Sequence, residues 1–256
     1  ILTTLILGAM VANINTSISN VALPSIGSAL NATDTQLTGI TDAYQLGIAA
    51  TVLYLGAVGD RYGRKRMLLL GAFLCVPFSL MSAWSPTAVF LIGAQIAVGV
   101  SGGMLYPTTL SMITALWRGK KLTAAIALWT GIGTGASVLG PILGGWLLGN
   151  YWWGSVFLIT VPLAIVVLVL GFVVLPKSAA EHNEPVDHQG GTLSVIMISS
   201  LVLGIVMLPQ GITITVGVLF AVMLVSGFLF VRRERRAPNP LFDLKMTAIT
   251  TFWVAF

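Results

Sequence analysis

Gly56-Ala57-Val58-Gly59-Asp60-Arg61-Tyr62-Gly63-Arg64-Lys65-Arg66 separates two apolar runs, about 37–58 and 67–85. Each run is long enough to cross a bilayer as a helix, which takes about 20 mostly apolar residues. The string between them carries four cations and one carboxylate in 11 residues, and a charge at the centre of a bilayer helix costs at least about 2.5–3.5 kcal/mol. The runs therefore read as membrane spans and the string as the aqueous turn that joins them. Working outward, the alternation repeats, with apolar runs at about 1–22, 88–116, 122–149, 154–175, 192–208 and 211–231 and a ninth opening near 249. Eight spans and the start of a ninth describe an all-α polytopic membrane protein. A transmembrane β-barrel would show segments of about ten alternating residues, and these runs are too long and too uniformly apolar for that.

Composition agrees. Of 256 residues, 56% are hydrophobic and 8% charged, against about 25% charged in an ordinary soluble domain. So little charge cannot cover a water-facing surface, and disorder, which needs low hydrophobicity and high charge, is excluded as well. The only cysteine, Cys75, lies inside an apolar run and reads as an inert core thiol. The net charge of +5 does not point to nucleic acid, because the cations punctuate apolar runs instead of forming a basic stripe.

Their placement orients the chain. Arg61, Arg64, Lys65 and Arg66 lie between spans two and three, and Arg118, Lys120 and Lys121 between four and five. Lys177 lies between six and seven, and Arg232, Arg233, Arg235, Arg236 and Lys245 follow span eight. All 13 basic residues fall on one side, while the opposite loops around Leu23–Gln36, Ser85–Thr87, Asn150–Trp153 and Pro209–Gln210 have none. Cytoplasmic loops carry the excess of Lys and Arg, so the N-terminus is expected in the cytoplasm. The segment 176–191, with Glu181, His182, Glu184, Asp187 and His188, reads as a solvated linker; Pro185 and the histidine spacing argue against a metal site. This divides the chain into a six-helix bundle (1–175), the linker (176–191), a two-helix hairpin (192–231) and a loop with the start of a further bundle (232–256). A first residue other than Met and a last residue inside an apolar run lead us to expect a fragment.

Within the opening string, glycines at 56, 59 and 63 allow a tight turn and close helix approach, and Asp60 sets a carboxylate among cations at a helix end. In this pattern the chain resembles the major facilitator superfamily, whose loop between helices two and three has the same order of residues. The resemblance implies a major facilitator-type N-terminal six-helix bundle and a cytoplasmic gate motif of Gly56, Asp60, Arg61, Gly63, Arg64 and Lys65. Asp60 and Arg61 would brace the N-half against the C-half.

Span five carries two small-residue stripes, Ala127-Gly131-Gly135 and Ala136-Gly140-Gly144, each with steps of four that let backbones pack closely. Pro141 removes a backbone hydrogen bond, which a bilayer helix tolerates with local compensation. The ending Gly140-Pro141-x-x-Gly144-Gly145, with Gly131 and Gly135 before it, resembles the superfamily's antiporter motif. Asn20-Val-Ala-Leu-Pro24, Phe157-Leu-Ile-Thr-Val-Pro162 and Arg235-Arg-Ala-Pro-Asn-Pro-Leu241 narrow the resemblance to the fourteen-helix drug:proton antiporter family, in which two extra helices follow the first six.

Two positions depart from that family's pattern. Asn15 stands where span one normally has Asp, and Gln95 and Val98 stand where span four normally has Arg and Gln before Gly99. What remains inside the spans is Asp42. An intramembrane carboxylate usually faces the protein interior and marks a pathway, so Asp42 is the candidate proton carrier, with Asn15 expected as its neighbour and hydrogen-bond partner. Tyr44, Gln45, Gln95, Tyr106 and Trp129 are candidates for lining a mostly apolar cavity with a few placed polar groups. Trp84, Trp117, Trp152 and Trp153, near span ends, read as an interfacial aromatic belt.

The function expected is secondary active export of small, drug-like amphipathic molecules by alternating access, in exchange for protons, from a cell membrane. The implied partners are substrate, protons and lipid, with no cofactor, no metal, no nucleic acid and a monomeric state. Uniport or import of a metabolite, or a non-transporting receptor or regulator on the same scaffold, are the alternatives. No nucleophile–base–orienter set, metal-ligand spacing or phosphate-cradling loop points to an enzyme.

Overall fold

A computed structural model describes residues 1–176, 186–208, 211 and 213–236. Among them the chain is all helix: α1 (Leu2–Leu30), α2 (Asp34–Tyr62), α3 (Arg64–Ala83), α4 (Ala88–Leu116), α5 (Gly119–Asn150), a 3-10 turn (Trp153–Ile159) leading into α6 (Thr160–Val174), α7 (His188–Met207) and α8 (Ile214–Glu234). Seven of these, counting Trp153–Val174 as one, are long and apolar enough to cross a membrane. The remaining helix, α2, is 29 residues long and is diluted by Asp34, Asp42, Asp60 and Arg61. It runs parallel to α4 at the same depth, with Gly39 against Ile92, Gly47 against Ile96 and Gly99, and Gly56 against Pro107.

The α2–α4 crossing is a backbone contact. A methyl group on Gly47 or Gly99 would run into main-chain atoms of the other helix, so both positions need glycine for close approach. From this crossing the Tyr44 side chain, 1% exposed, passes between helices and donates its hydroxyl hydrogen to the Ala12 carbonyl of α1 at 2.9 Å. Two apolar clusters fill the interior. One, at the end that carries the basic residues, includes Leu5, Leu68, Ile113, Trp129 and Val167. The other, toward the opposite end, includes Ile14, Ile18, Ile40, Leu91 and Phe157. Large apolar side chains that lie outside these clusters, such as Phe172 and Leu224, are exposed, as befits a multi-pass protein whose exterior is solvated by lipid.

Several boundaries differ from the sequence expectation. Span one does not stop near residue 22: α1 continues through Pro24 to Leu30 and ends on Asn31 in the left-handed conformation, φ 48°. Proline deletes one intrahelical bond without ending a helix that its neighbours hold, and Asn tolerates the left-handed cap. The outer loop shrinks accordingly, because Thr33 already caps α2: its hydroxyl accepts from the Gln36 amide at 3.3 Å while the Gln36 side chain accepts from the Thr33 amide at 3.0 Å. The turn after α2 is a single residue, Gly63, at φ 109°, a backbone state that favours glycine. Arg64, Lys65 and Arg66 therefore belong to the first turn of α3 and not to a loop.

The expected linker is also shorter. His188-Gln189-Gly190-Gly191 form the first turn of α7, capped by the Asp187 carboxylate, which accepts from the Gln189 and Gly190 amides at 3.1 and 3.0 Å. At the other end of the hairpin α8 extends past residue 231 to Glu234. Lys177, Glu181, His182, Glu184, Pro185, Lys245 and the ninth apolar run lie outside the described residues.

Candidate functional site

The gate string folds into a joint between three helices. Asp60, at the end of α2, accepts from Arg64 Nε of α3 at 2.8 Å and from the Ser111 hydroxyl of α4 at 2.9 Å, all on Asp60 Oδ1. The Arg64 side chain is 9% exposed and that of Asp60 42%. A carboxylate beside the first turn of α3 offsets the poor placement of cations at a helix N-terminus. Lys65 reaches the other way, donating from Nζ to the Phe172 and Leu175 carbonyls at 2.9 and 2.5 Å, where α6 ends. The last carbonyls of a helix lack intrahelical donors, and a lysine there both bonds them and suits the dipole. Gly59 lies against Met67 and Thr108, and Gly56 against Pro107. Two residues expected to serve a gate between halves, Arg64 and Lys65, thus also hold α2, α3, α4 and α6 together.

The small-residue stripes of α5 separate onto two faces. Gly140 and Gly144, with buried Ala136 one turn before them, press on Ser17, Ile18 and Val21 of α1, and Gly133 presses on Ala9 and Asn13. Gly131, Gly135 and Gly145 have open space where a side chain would be. One face of α5 is packed within this bundle and the other is bare.

Asn15 and Asp42 are not brought together. Asn15, 2% exposed, donates to the Val11 carbonyl of its own helix at 3.1 Å. Asp42 is half-buried and lies about 200° around α2 from Tyr44, the residue that reaches α1. The expected Asn15–Asp42 hydrogen bond is absent among the described residues. The helix face that packs on α1 and α4 is fixed by Tyr44 and Gly47, and Asp42 falls outside it, beside exposed Gln45.

The other cavity candidates divide the same way. Tyr44 is a core tie, not a cavity wall. Trp129, 5% exposed, donates from Nε1 to Thr109 Oγ1 at 3.1 Å, while Tyr106, 36% exposed, stacks on it with ring centroids 5.0 Å apart. Tyr106 is thus the open edge of an aromatic pair whose inner member is core. Gln95 is fully buried. Near the span ends, Trp84 and Trp152 are exposed and lie 5.8 Å apart.

The sequence reading missed the residues that seat the hairpin. Tyr54 of α2 shares a 2.8 Å hydrogen bond between its hydroxyl and His188 Nδ1, and Gly191 sits against the Tyr54 ring where no side chain would fit. Arg233 Nε donates to both oxygens of Asp187 at 2.9 and 2.8 Å. These contacts set the ends of α2, α7 and α8 at one face of the bundle, the face where Asp60 meets Ser111 and Lys65 meets α6. Every described Lys and Arg stands at that end. A repeated Gly-Gly after Asp-His at 187–191 was the available signal, but the partner tyrosine is 134 residues away.

A model of the Major Facilitator Superfamily matches residues 5–255. The multidrug efflux pump LfrA of Mycolicibacterium smegmatis is 36% identical over 253 residues, covering 98% of this chain and 50% of LfrA. The methyl viologen resistance protein SmvA of Salmonella typhimurium is 33% identical over 237 residues, covering 91% of this chain and 48% of SmvA. Among solved structures, the POT family transporter PepTSo superposes with a TM-score of 0.62 at 14% identity, over 93% of this chain and 55% of that one, a likeness of fold. The chain spans about half the length of the curated relatives it matches.

Proposed function

The chain belongs to the Major Facilitator Superfamily, and from that premise we propose that it supplies the N-terminal bundle and extra hairpin of a proton-coupled exporter of small amphipathic organic molecules. Membership sets it among transporters and not among enzymes. In this reading two bundles rock about a site near the bilayer midplane, in a cell membrane with the basic ends and the N-terminus in the cytoplasm, and the protein acts as a monomer. The division of α5 carries the reading: a face of Gly133, Gly140 and Gly144 packed on α1, and a second glycine face at Gly131, Gly135 and Gly145 left bare for a moving partner bundle. The Gly140-Pro141-x-x-Gly144-Gly145 ending, a relative named as a multidrug efflux pump and one named for methyl viologen resistance support export. Asp60 and Arg61 serve as the cytoplasmic latch, with Arg64 and Lys65 as its footing. Tyr106 and Gln45 line the path of the compound, whereas Gln95 is closed off inside the bundle.

Asp42 carries the proton. It is the one carboxylate in the body of a described span, and the bundle commits no other helix to pairing with it. The test is full-length transporter in proteoliposomes, comparing wild type with Asp42→Asn. Loss of gradient-driven efflux by tenfold or more, with exchange of labelled against unlabelled compound retained, supports the assignment. Gradient-driven efflux that survives intact removes Asp42 from the mechanism.

A further inference from the structure

Gln95 is fully enclosed, and neither Oε1 nor Nε2 of its carboxamide has a hydrogen-bond partner; the Ser19 hydroxyl, 2% exposed, has none either. Polar groups closed away from water are bonded in the great majority of cases, so each of these side chains calls for a partner. Their positions fall within about one turn of each other in register. The Tyr44 hydroxyl bonds the Ala12 carbonyl of α1 and lies against Gly102 of α4, which sets Ala12 opposite Gly102. Gly8 lies against Thr109, so the numbers run in opposite senses along the two helices. Counted from Ala12 and Gly102, Ser19 falls opposite Gln95; counted from Gly8 and Thr109 it falls opposite Val98, three residues on, so Ser19 lies within about one turn of Gln95 on facing sides of the two helices. Ser155, in the 3-10 turn whose Val156 and Phe157 share an apolar cluster with Ile14 and Ile18, is a second buried hydroxyl without a partner.

We propose that Ser19 and Gln95 hold between them an uncharged group that both donates and accepts a hydrogen bond, either a water molecule or a hydroxyl or amide of a molecule passing through the protein. The chemistry follows from the carboxamide, whose oxygen needs a donor and whose nitrogen needs an acceptor. An ion is a poor occupant, because no charged side chain stands on this face of α1 (Gly8, Ala12, Asn15, Ser19) or of α4 (Gln95, Gly102, Thr109), and an uncompensated charge in such an interior is far more costly than a neutral polar group. A buried water needs two to four polar partners, and the two side chains supply at least three groups. The assignment does not depend on the direction or coupling of transport.

The experiment uses the full-length protein in lipid nanodiscs, with thermal unfolding of Gln95→Leu, Ser19→Ala and the double variant, and a cryo-EM map sharp enough to show ordered water. Each single variant is expected to lower the melting temperature by about 2–4 °C. The double variant should fall little further, since both side chains serve one bridging group. Density between the Gln95 carboxamide and the Ser19 hydroxyl without added compound identifies water; density only after adding doxorubicin, an amphipathic molecule rich in hydroxyls, identifies the passing molecule. Variants that melt at or above the wild-type temperature, additive effects, a map with no density between the two side chains under either condition, or one in which they bond each other directly would each overturn the proposal.

Discussion

Asp60 gathers its partners from two helices, and only one of them was visible in its own string. Arg64 follows four residues later, one of the cations the string sets around the carboxylate; Ser111 lies 51 residues on and gives no local signal. The same limit applies to Tyr44, which looks like a cavity residue until its hydroxyl is found on Ala12. Interhelical hydrogen bonds in membranes average about 0.6 kcal/mol and reach about 1.7. Tyr44→Phe is therefore expected to lower stability by that modest amount, read as a small drop in melting temperature with efflux retained. Gly47→Leu, whose side chain would enter the α4 backbone, should abolish folded protein, measured by yield and monodispersity on size exclusion. Wild-type yield of Gly47→Leu would contradict the backbone crossing.

At the scale of elements, the apolar runs located every described helix, because lipid demands long stretches free of charge, but they misplaced several ends. Pro24 looked like the end of span one and lies inside α1; Gly190 and Gly191 looked like linker and lie inside α7. In both cases the deciding contact comes from another helix or a cap, not from the run itself. The stripes of α5 were legible as stripes, yet which one faces α1 was not, since both repeat at four. That difference is testable: Gly140→Leu should lose folded protein, because its side chain meets Ser17 and the Ile14 carbonyl. Gly135→Leu should fold at wild-type yield and lose most efflux, because in the proposed exporter its face meets the moving bundle. Equal folding defects in the two variants would contradict the division of faces. Lys65→Met, which uncaps α6, should cost about 0.3–1 kcal/mol, seen as a lower melting temperature.

For the whole molecule, the hairpin α7–α8 rests on α2 through Tyr54, His188 and Gly191 and is closed by Asp187 and Arg233. It is expected to move with the first six helices. A disulfide engineered between α2 and α7 should leave efflux at wild-type levels, whereas loss of efflux on oxidation would show that the hairpin must slide past α2. The sided distribution of basic residues was legible in the sequence and is the ground for the orientation proposed with the exporter reading. The central claim is that this family member couples outward movement of an amphipathic compound to inward movement of protons. Full-length protein in proteoliposomes, loaded with ethidium and given a pH gradient in either direction, tests it most directly. The account predicts ethidium movement against its own gradient, opposite to the proton flow and abolished by a protonophore; movement only down the ethidium gradient, indifferent to pH, would contradict it.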